Sequence, residues 1–520
     1  MTGSNGNAAD YFIDRHLREG RGDRLAFADP WRSLSYGGLA DASARFAAGL
    51  RAAGIERERR IALIMLDTID FPIAFWGALR AGVVPVPINT LLPAEIAGYI
   101  LRDSRAAALF VSAPLLGPLR PALDGLSRII VSAPDGGSPD LGGDPRAVSF
   151  ASFLDSAAPE TTMTECSPDE VAFWLYSSGS TGAPKGVRHL HSNLPATADT
   201  YGEQVLQIQP DDLMFSAAKL FFAYGLGNSM TFPMAVGAAA VLFPDRPTPD
   251  AVLATMRRFQ PTIFGGVPTL YAALLAHKDI GAGAGSDRLR RCISAGEPLP
   301  EHIGRRWREG VGVDILDGLG STEMLHIFLS NRPDDIRYGV TGKPVPGYEL
   351  RIVDGAGGEV GDGEPGELIV RGPSAAEGYW NQRAKSRLTF RGEWTHTGDT
   401  YTRDAEGYYR YCGRSDDMLK VGGIWVSPFE VEEALIGHPA VLESAVVGHP
   451  DAEGLIKPKA FVVLQQSAQR EDPAALTATL QDHVKERIGV WKYPRWIEFR
   501  DTLPKTATGK IQRYKLRAEA

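Results

Sequence analysis

Cysteine is scarce: Cys166, Cys292 and Cys412 are the only three in 520 residues, far apart and with no CxxC pair. That argues against a disulfide framework or a thiolate zinc site and suits a reducing cytoplasm. No apolar run reaches the roughly 18 residues of a membrane span, so no transmembrane helix is expected. The first nine residues have neither the basic nor the apolar region of a secretory leader. Positive charge is not in surplus either. The net charge of −8 argues against wholesale nucleic-acid binding, and an anionic ligand has to be held by local donors. There is no internal repeat and no low-complexity tract. Glycine (57) and proline (36) are plentiful but dispersed, which points to many loops rather than disorder. What is left is an ordinary globular composition in a chain too long for one core, so two or more domains are expected.

The apolar pattern alternates between strand and helix periods. Strands are predicted at 60–65, 83–87, 107–112, 213–217, 239–243 and 262–264, and helices at 39–53, 69–81, 95–103 and 249–260. Such alternation predicts an α/β fold with mostly parallel sheets flanked by helices. Ligands in such sheets bind at the carboxyl ends of strands, which directs attention to the turns that follow them.

The most telling turn follows the apolar run Val171–Leu175. Residues 176–186 read Tyr-Ser-Ser-Gly-Ser-Thr-Gly-Ala-Pro-Lys-Gly. Glycines admit close backbone approach, amides and hydroxyls surround an anion, and Lys185 adds a point charge. A polyphosphate suits that set: Ser177, Ser178, Gly179, Ser180, Thr181, Gly182 and Lys185. It is not a Walker A loop, because Gly186 and not a hydroxyl follows the lysine.

Further along, Lys219-Leu220-Phe221-Phe222-Ala223-Tyr224-Gly225 offers aromatic residues for a flat pocket, although aromatic clusters are usually core. The strand at 290–295 runs into the turn Ala295-Gly296-Glu297-Pro298. The next strand gives Asp317-Gly318-Leu319-Gly320-Ser321-Thr322-Glu323. There two glycines can admit a flat ligand, Thr322 can donate to a phosphate, and Glu323 can hold Mg²⁺ against phosphates. Taken alone, the segment also suits a strand-to-helix turn with an N-cap and an acidic first turn. His326 and Ile327 follow, and His326 can donate to a carboxylate or close the end of an aryl pocket. Trp394-Thr395-His396-Thr397-Gly398-Asp399 presents a carboxylate in a glycine turn. Polar and glycine residues at 411–423 mark a domain boundary, and a lysine-bearing segment, 504–511, lies near the end of the sequence.

These segments, in this order and over nearly the whole chain, resemble the adenylate-forming superfamily of acyl-CoA synthetases, luciferases and adenylation domains. The benzoate-CoA ligase group is the most similar, through Tyr-Ser-Ser-Gly-Ser-Thr-Gly, Asp-Gly-Leu-Gly-Ser-Thr-Glu-Met-Leu-His-Ile-Phe and Phe-Ala-Tyr-Gly. The resemblance implies a large N-terminal AMP-binding domain (1–415) of stacked α/β sheets with a small barrel-like β region. A mobile α+β C-terminal domain (416–520) would follow, hinged at Asp416. It implies that 296–298 packs on adenine, that Asp399 and Arg414 hold the ribose, and that Ala223, Tyr224, Gly320, His326 and Ile327 line the acid pocket. Lys510 becomes the catalytic lysine beside Thr322 and Glu323, and Gly422 and Gly423 line the CoA tunnel. One departure is visible: Leu319 stands where an aromatic residue usually stacks on adenine.

The implied reaction joins an aryl carboxylate to ATP, giving acyl-AMP and pyrophosphate, and then to the CoA thiol with release of AMP. ATP, Mg²⁺ and CoA are the expected cofactors. No nucleic-acid or membrane partner is expected, and the protein would be a cytoplasmic monomer or homodimer. Alternatives are a short- or medium-chain acyl-CoA synthetase, an aryl-acid enzyme loading a carrier protein, and a non-catalytic homologue. The last is disfavoured by the presence of Lys185, Glu323 and Lys510. No carrier domain follows Ala520, which favours a free thiol acceptor.

Overall fold

The computed structural model describes residues 6–159, 162–177, 183–415, 417–421, 424–452, 455–466, 468–469, 472–505 and 511–519. Compactness divides the chain into two units: residues 1–349 with 370–395, and residues 350–369 with 396–520. The domain division expected from the sequence falls instead after residue 415, and its hinge residue, Asp416, lies outside the described residues.

The first unit holds a five-stranded, wholly parallel sheet, ordered Val84–Pro87, Arg60–Ile64, Leu109–Ser112, Ile129–Ser132, Ala147–Ser149. It also holds a nine-stranded sheet. Six adjacent strands of that sheet are parallel: Ile315–Gly320, Arg291–Ala295, Ile263–Gly266, Leu213–Ser216, Ala239–Val241 and Leu25–Ala28. Antiparallel strands close both edges. The inner strands are buried along their length, which is why their sequences read as continuous apolar runs.

Helices cover these sheets where the 3.6 period predicts them. In Tyr36–Ala52, Leu39, Ala40, Ala44, Phe46, Ala47 and Leu50 are buried, and Ser35 caps the start by accepting the Gly38 N–H. Asp70–Arg80 is buried on every side. A Cβ on Gly77 would lie 2.6 Å from Phe46, so glycine there lets two helices approach closely.

The second unit contains the greater part of Glu349–Val353, Gly366–Arg371 and Trp394–Arg403, with Tyr409–Arg414 antiparallel to the last. It continues into a three-stranded sheet, Val441–Pro450, Ile456–Leu464 and Trp496–Phe499, covered by helices Pro428–Ile436 and Pro473–Ile488. A final helix, Arg513–Glu519, is fixed by charge. Arg513 binds both carboxylate oxygens of buried Glu432 (Nε–Oε1 3.1 Å, Nη2–Oε2 2.6 Å), and Glu432 also accepts the Val446 N–H. Removing one partner leaves an uncompensated buried charge. Arg513→Met is therefore expected to destabilise this unit by about 3–5 kcal/mol, read as a lowered chemical-denaturation midpoint.

Candidate active site

The sequence predicts a loop behind a buried strand, and the structure makes it a hairpin. Val171–Ser177 pairs antiparallel with Lys185–Leu190, and Ser177 stands opposite Lys185. The connection that includes Ser178, Gly179, Ser180, Thr181 and Gly182 lies outside the described residues. Among the described residues Ser177 Oγ is buried with no hydrogen-bond partner, as a donor waiting for a ligand would be. Gly378–Tyr379 adds a third strand beside Lys185–Leu190.

That strand brings in a residue that sequence reasoning missed. The Tyr379 hydroxyl donates to Glu323 Oε1 (2.8 Å), and its ring lies beneath Lys185 Nζ, 4.3 Å from the centroid. Lys185 Nζ is 3.9 Å from the same Glu323 oxygen. A cation, a carboxylate and a phenol thus meet on side chains 56 to 194 residues apart in sequence. The only signal was the pair Gly378-Tyr379, which carries no chemistry until its strand partner is known.

The turns at 295–298 and 317–323 end neighbouring parallel strands, with Ala295 in register with Gly318. Gly296 has φ +95°, a conformation that excludes most side chains there, and Glu297 and Pro298 follow it in the turn. Strand Ile315–Gly320 then turns back into the antiparallel strand Ile327–Ser330 and does not enter a helix. That return gives the two glycines a further role. A Cβ on Gly318 would sit 2.9 Å from the Ile327 side chain, and one on Gly320 would sit 2.7 Å from the His326 carbonyl oxygen. They make room for the protein's own returning strand. Leu319 precedes the turn, and the Ser321 hydroxyl accepts the Met324 N–H while Thr322 and Glu323 complete it. Asp317 is buried. Its Oδ2 accepts the Leu299 N–H at 3.4 Å, the Gly318 N–H also acts on the carboxylate, and its Oδ1 has no hydrogen-bond partner among the described residues. Burial pushes its pKa well above the usual carboxylate range.

The acid-pocket candidates also converge. Ala223 and Tyr224 begin the helix Ala223–Leu226. The Tyr224 hydroxyl lies 3.0 Å from both the Gly266 and Ile293 carbonyl oxygens, which ties the ring to the sheet. His326 packs against Tyr201, Tyr224 and Phe232, with ring centroids 5.4, 5.7 and 4.4 Å away. Its Nε2 donates to the Tyr224 carbonyl at 3.3 Å. A Cβ on Gly227 would clash with the ring at 2.3 Å. Burial lowers the His326 pKa to about 3. The imidazole is therefore neutral at pH 7, and with its Nε2 proton committed to Tyr224 it serves as a wall and not as a cationic partner for a carboxylate.

In the second unit, Asp399 and Arg414 are cross-strand partners joined at 3.0 Å, and Arg414 also donates to the Thr397 carbonyl at 3.2 Å. Asp416, Gly422, Gly423 and Lys510 lie outside the described residues. Among the described residues no group of three or more His, Cys, Asp or Glu could hold a metal, and no helix is long and apolar enough to cross a membrane.

Burial also lowers His16, His189 and His191 to about 4. Depressed histidines favour the folded state above their unfolded pKa near 6.5, and that contribution is lost as pH falls toward 4. Counting His326, unfolding free energy should drop below pH 6.5 by up to about 1.4 kcal/mol per pH unit for each histidine. Denaturant titrations at pH 7.5, 6.0 and 5.0 measure it.

Comparison with known proteins matches this architecture throughout. A family model described as AMP-binding enzyme covers residues 13–380, and one described as AMP-binding enzyme C-terminal domain covers residues 430–510. A 4-hydroxybenzoate–CoA/benzoate–CoA ligase of Rhodopseudomonas palustris is 53% identical over 98% of this chain and 94% of its own. A benzoate–CoA ligase of Thauera aromatica is 53% identical over 98% and 96%. Among solved structures, a benzoate CoA ligase from Burkholderia xenovorans aligns with a TM-score of 0.89 at 49% identity, covering 99% of this chain and 100% of that one. The chain belongs to the AMP-binding enzyme family.

Proposed function

We propose that this protein is an ATP-dependent, AMP-forming CoA ligase for benzoate-type acids, acting in the cytoplasm. The observation that carries the reading is one turn, 317–327. Its Glu323 lies 3.9 Å from Lys185, which supports a phosphate site that Thr322 would join, and its His326 packs on Tyr224, which supports a short, flat acid site that Ile327 would join. Relatives that share half their residues with the whole chain are named for benzoate and 4-hydroxybenzoate.

In the first half-reaction a carboxylate oxygen of the acid bonds to the α-phosphorus of ATP. The bond from that phosphorus to the bridging oxygen breaks, and pyrophosphate leaves. Both reactants are anions, so the transition state gains from fixed cations and N–H or O–H donors. Lys185, Ser177 and residues 178–182 hold the β- and γ-phosphates, and Thr322 donates to the α-phosphate. Lys510 bridges the carboxylate and the α-phosphate. The partnerless Asp317 Oδ1 suits a donor on the adenine, with 295–298, Gly318, Leu319 and Ser321 around the base. Asp399 and Arg414 take the ribose.

Mg²⁺ usually binds through one or two carboxylates plus substrate phosphates. Glu323 fits that role: it is a carboxylate beside Lys185, with the Tyr379 hydroxyl and the Lys185 ammonium both approaching Oε1. When bound there, the ion would neutralise charge developing on the phosphates.

In the second half-reaction the CoA sulfur attacks the acyl carbonyl, its proton goes to solvent, and AMP leaves. A hinge at Asp416 rotates the C-terminal domain, withdraws Lys510 and brings Gly422 and Gly423 to a narrow pantetheine passage.

Pyrophosphate release with ATP, Mg²⁺ and CoA tests the reading across benzoate, hydroxy-, methyl- and halobenzoates, acetate, hexanoate and palmitate. Turnover with the benzoates at least about 100-fold above the aliphatic acids is expected, since a mismatched acid loses several contacts worth 1–3 kcal/mol each. Preference for hexanoate or palmitate would discard the aryl pocket and keep the chemistry.

A further inference from the structure

Asp67 lies between the strand Arg60–Ile64 and the helix Asp70–Arg80. It is 3% exposed, touches none of the groups assigned above to catalysis, and is nonetheless charged by nature. Its two carboxylate oxygens accept the backbone N–H of Leu220 at 3.3 and 3.2 Å. The positive charge of Lys219 acts on it. Lys219 Nζ also donates to the main-chain oxygens of Phe243 and Asp245 (the latter at 2.7 Å) and lies 4.7 Å over the Phe243 ring. The neighbouring turn closes with Phe222 N–H on the Lys219 carbonyl at 3.0 Å. The helix that follows rests directly on that carbonyl, since a Cβ on Gly225 would lie 2.1 Å from it. Ala223 and Tyr224 occupy that helix.

We infer that Asp67 is a positioning residue for the acid pocket: through Leu220 and Lys219 it fixes the turn from which Ala223 and Tyr224 enter the pocket wall. The Tyr224 ring is tied at its far end to the Gly266 and Ile293 carbonyls. With its backbone end tied by Asp67, the aromatic wall has two anchors, and only the Asp67 anchor titrates in a useful range. Burial raises Asp67 to about 6, opposed by Lys219 and by the Leu220 N–H. Lys219 is the charged group that acts on it, and the Asp245 carboxylate acts on Lys219 in turn. Protonation below pH 6 weakens the carboxylate as an acceptor and removes its pull on the lysine.

The inference rests on the proposed acid pocket, and the full-length protein tests both. In Asp67→Ala the KM for benzoate should rise at least tenfold, with kcat and the KM for ATP within threefold of wild type. Asp67→Asn keeps an acceptor of the same shape. Its benzoate KM should stay within threefold of wild type at pH 8 but should lack the rise that wild type shows between pH 7 and 5.5. Lys219→Met should raise benzoate KM less than Asp67→Ala does, and it serves if the alanine variant does not fold. A folded alanine variant with unchanged benzoate KM, or with benzoate and ATP KM rising together, overturns the inference. A wild type that uses another acid fails the benzoate reading alone, and the same comparison on that acid then decides Asp67. A wild type silent with every acid overturns both.

Discussion

Lys510→Ala will lower formation of the acyl-adenylate by about 10³-fold, the scale of removing a transition-state charge partner, while thioester formation from supplied benzoyl-AMP stays within a few fold of wild type. The asymmetry follows from the chemistry. Adenylation joins two anions, and a lysine between them lowers the barrier directly. In thioester formation a thiol attacks an acyl-AMP that is already activated, and the same lysine contributes little. Residues 506–510 lie outside the described structure, but both flanks are held within one unit. Lys505 bridges to Ile511 as paired β-residues, and the Gln512 N–H donates to the Pro504 carbonyl at 2.8 Å. Ile511 packs against Leu503 and Leu516. The substitution therefore removes a charge without unmaking its support. Isotope exchange between pyrophosphate and ATP reads the first step, and thiol consumption with synthetic benzoyl-AMP reads the second. Equal losses in both would show that Lys510 serves the fold or CoA binding and not adenylation.

Glu323→Gln is the second substitution with a large expected effect, about 10²-fold on adenylation, accompanied by a higher Mg²⁺ concentration for half-maximal rate. Glutamine keeps the length and can still accept the Tyr379 hydroxyl, so the change is chiefly one of charge. Tyr379→Phe is the control: it removes the donor 2.8 Å from Oε1 and leaves the carboxylate. Only a few-fold loss is expected there, with little change in Mg²⁺ dependence. If the two variants behaved alike, Glu323 would act by positioning the hairpin and not through a metal-bound phosphate.

Much of this was legible in the sequence because the decisive features are local. Apolar runs at 60–64, 109–112 and 213–216 are strands for the reason they look like strands: their residues are buried on both faces. Lys185, Glu323, Tyr224 and His326 were recognisable because each sits in a turn or aromatic cluster whose composition is unusual for a loop. The helix Glu301–Val311 was legible too and went unread. Ile303, Trp307 and Val311 repeat every four residues along its buried face, among arginines and glutamates that obscure the pattern. Contacts over long sequence distance were not legible. Nothing in Gly378-Tyr379 announces a hydroxyl on Glu323, and nothing around Asp67 announces Leu220. The packing role of Gly318 and Gly320 was hidden for the same reason, since it depends on a strand that returns seven to nine residues later.

The division of the chain into 1–349 with 370–395, and 350–369 with 396–520, has a consequence for the growing polypeptide. On the ribosome the first unit cannot finish when its first 349 residues have emerged. The edge strand Gly378–Tyr379 and the hydroxyl for Glu323 arrive only after a twenty-residue excursion into the other unit. At roughly 5–20 residues per second, the 189 residues from 191 to 379 leave the Lys185 hairpin with one edge uncovered for about 10–40 s in every round of synthesis. For the same reason, no single cut between 349 and 395 yields two separately complete halves.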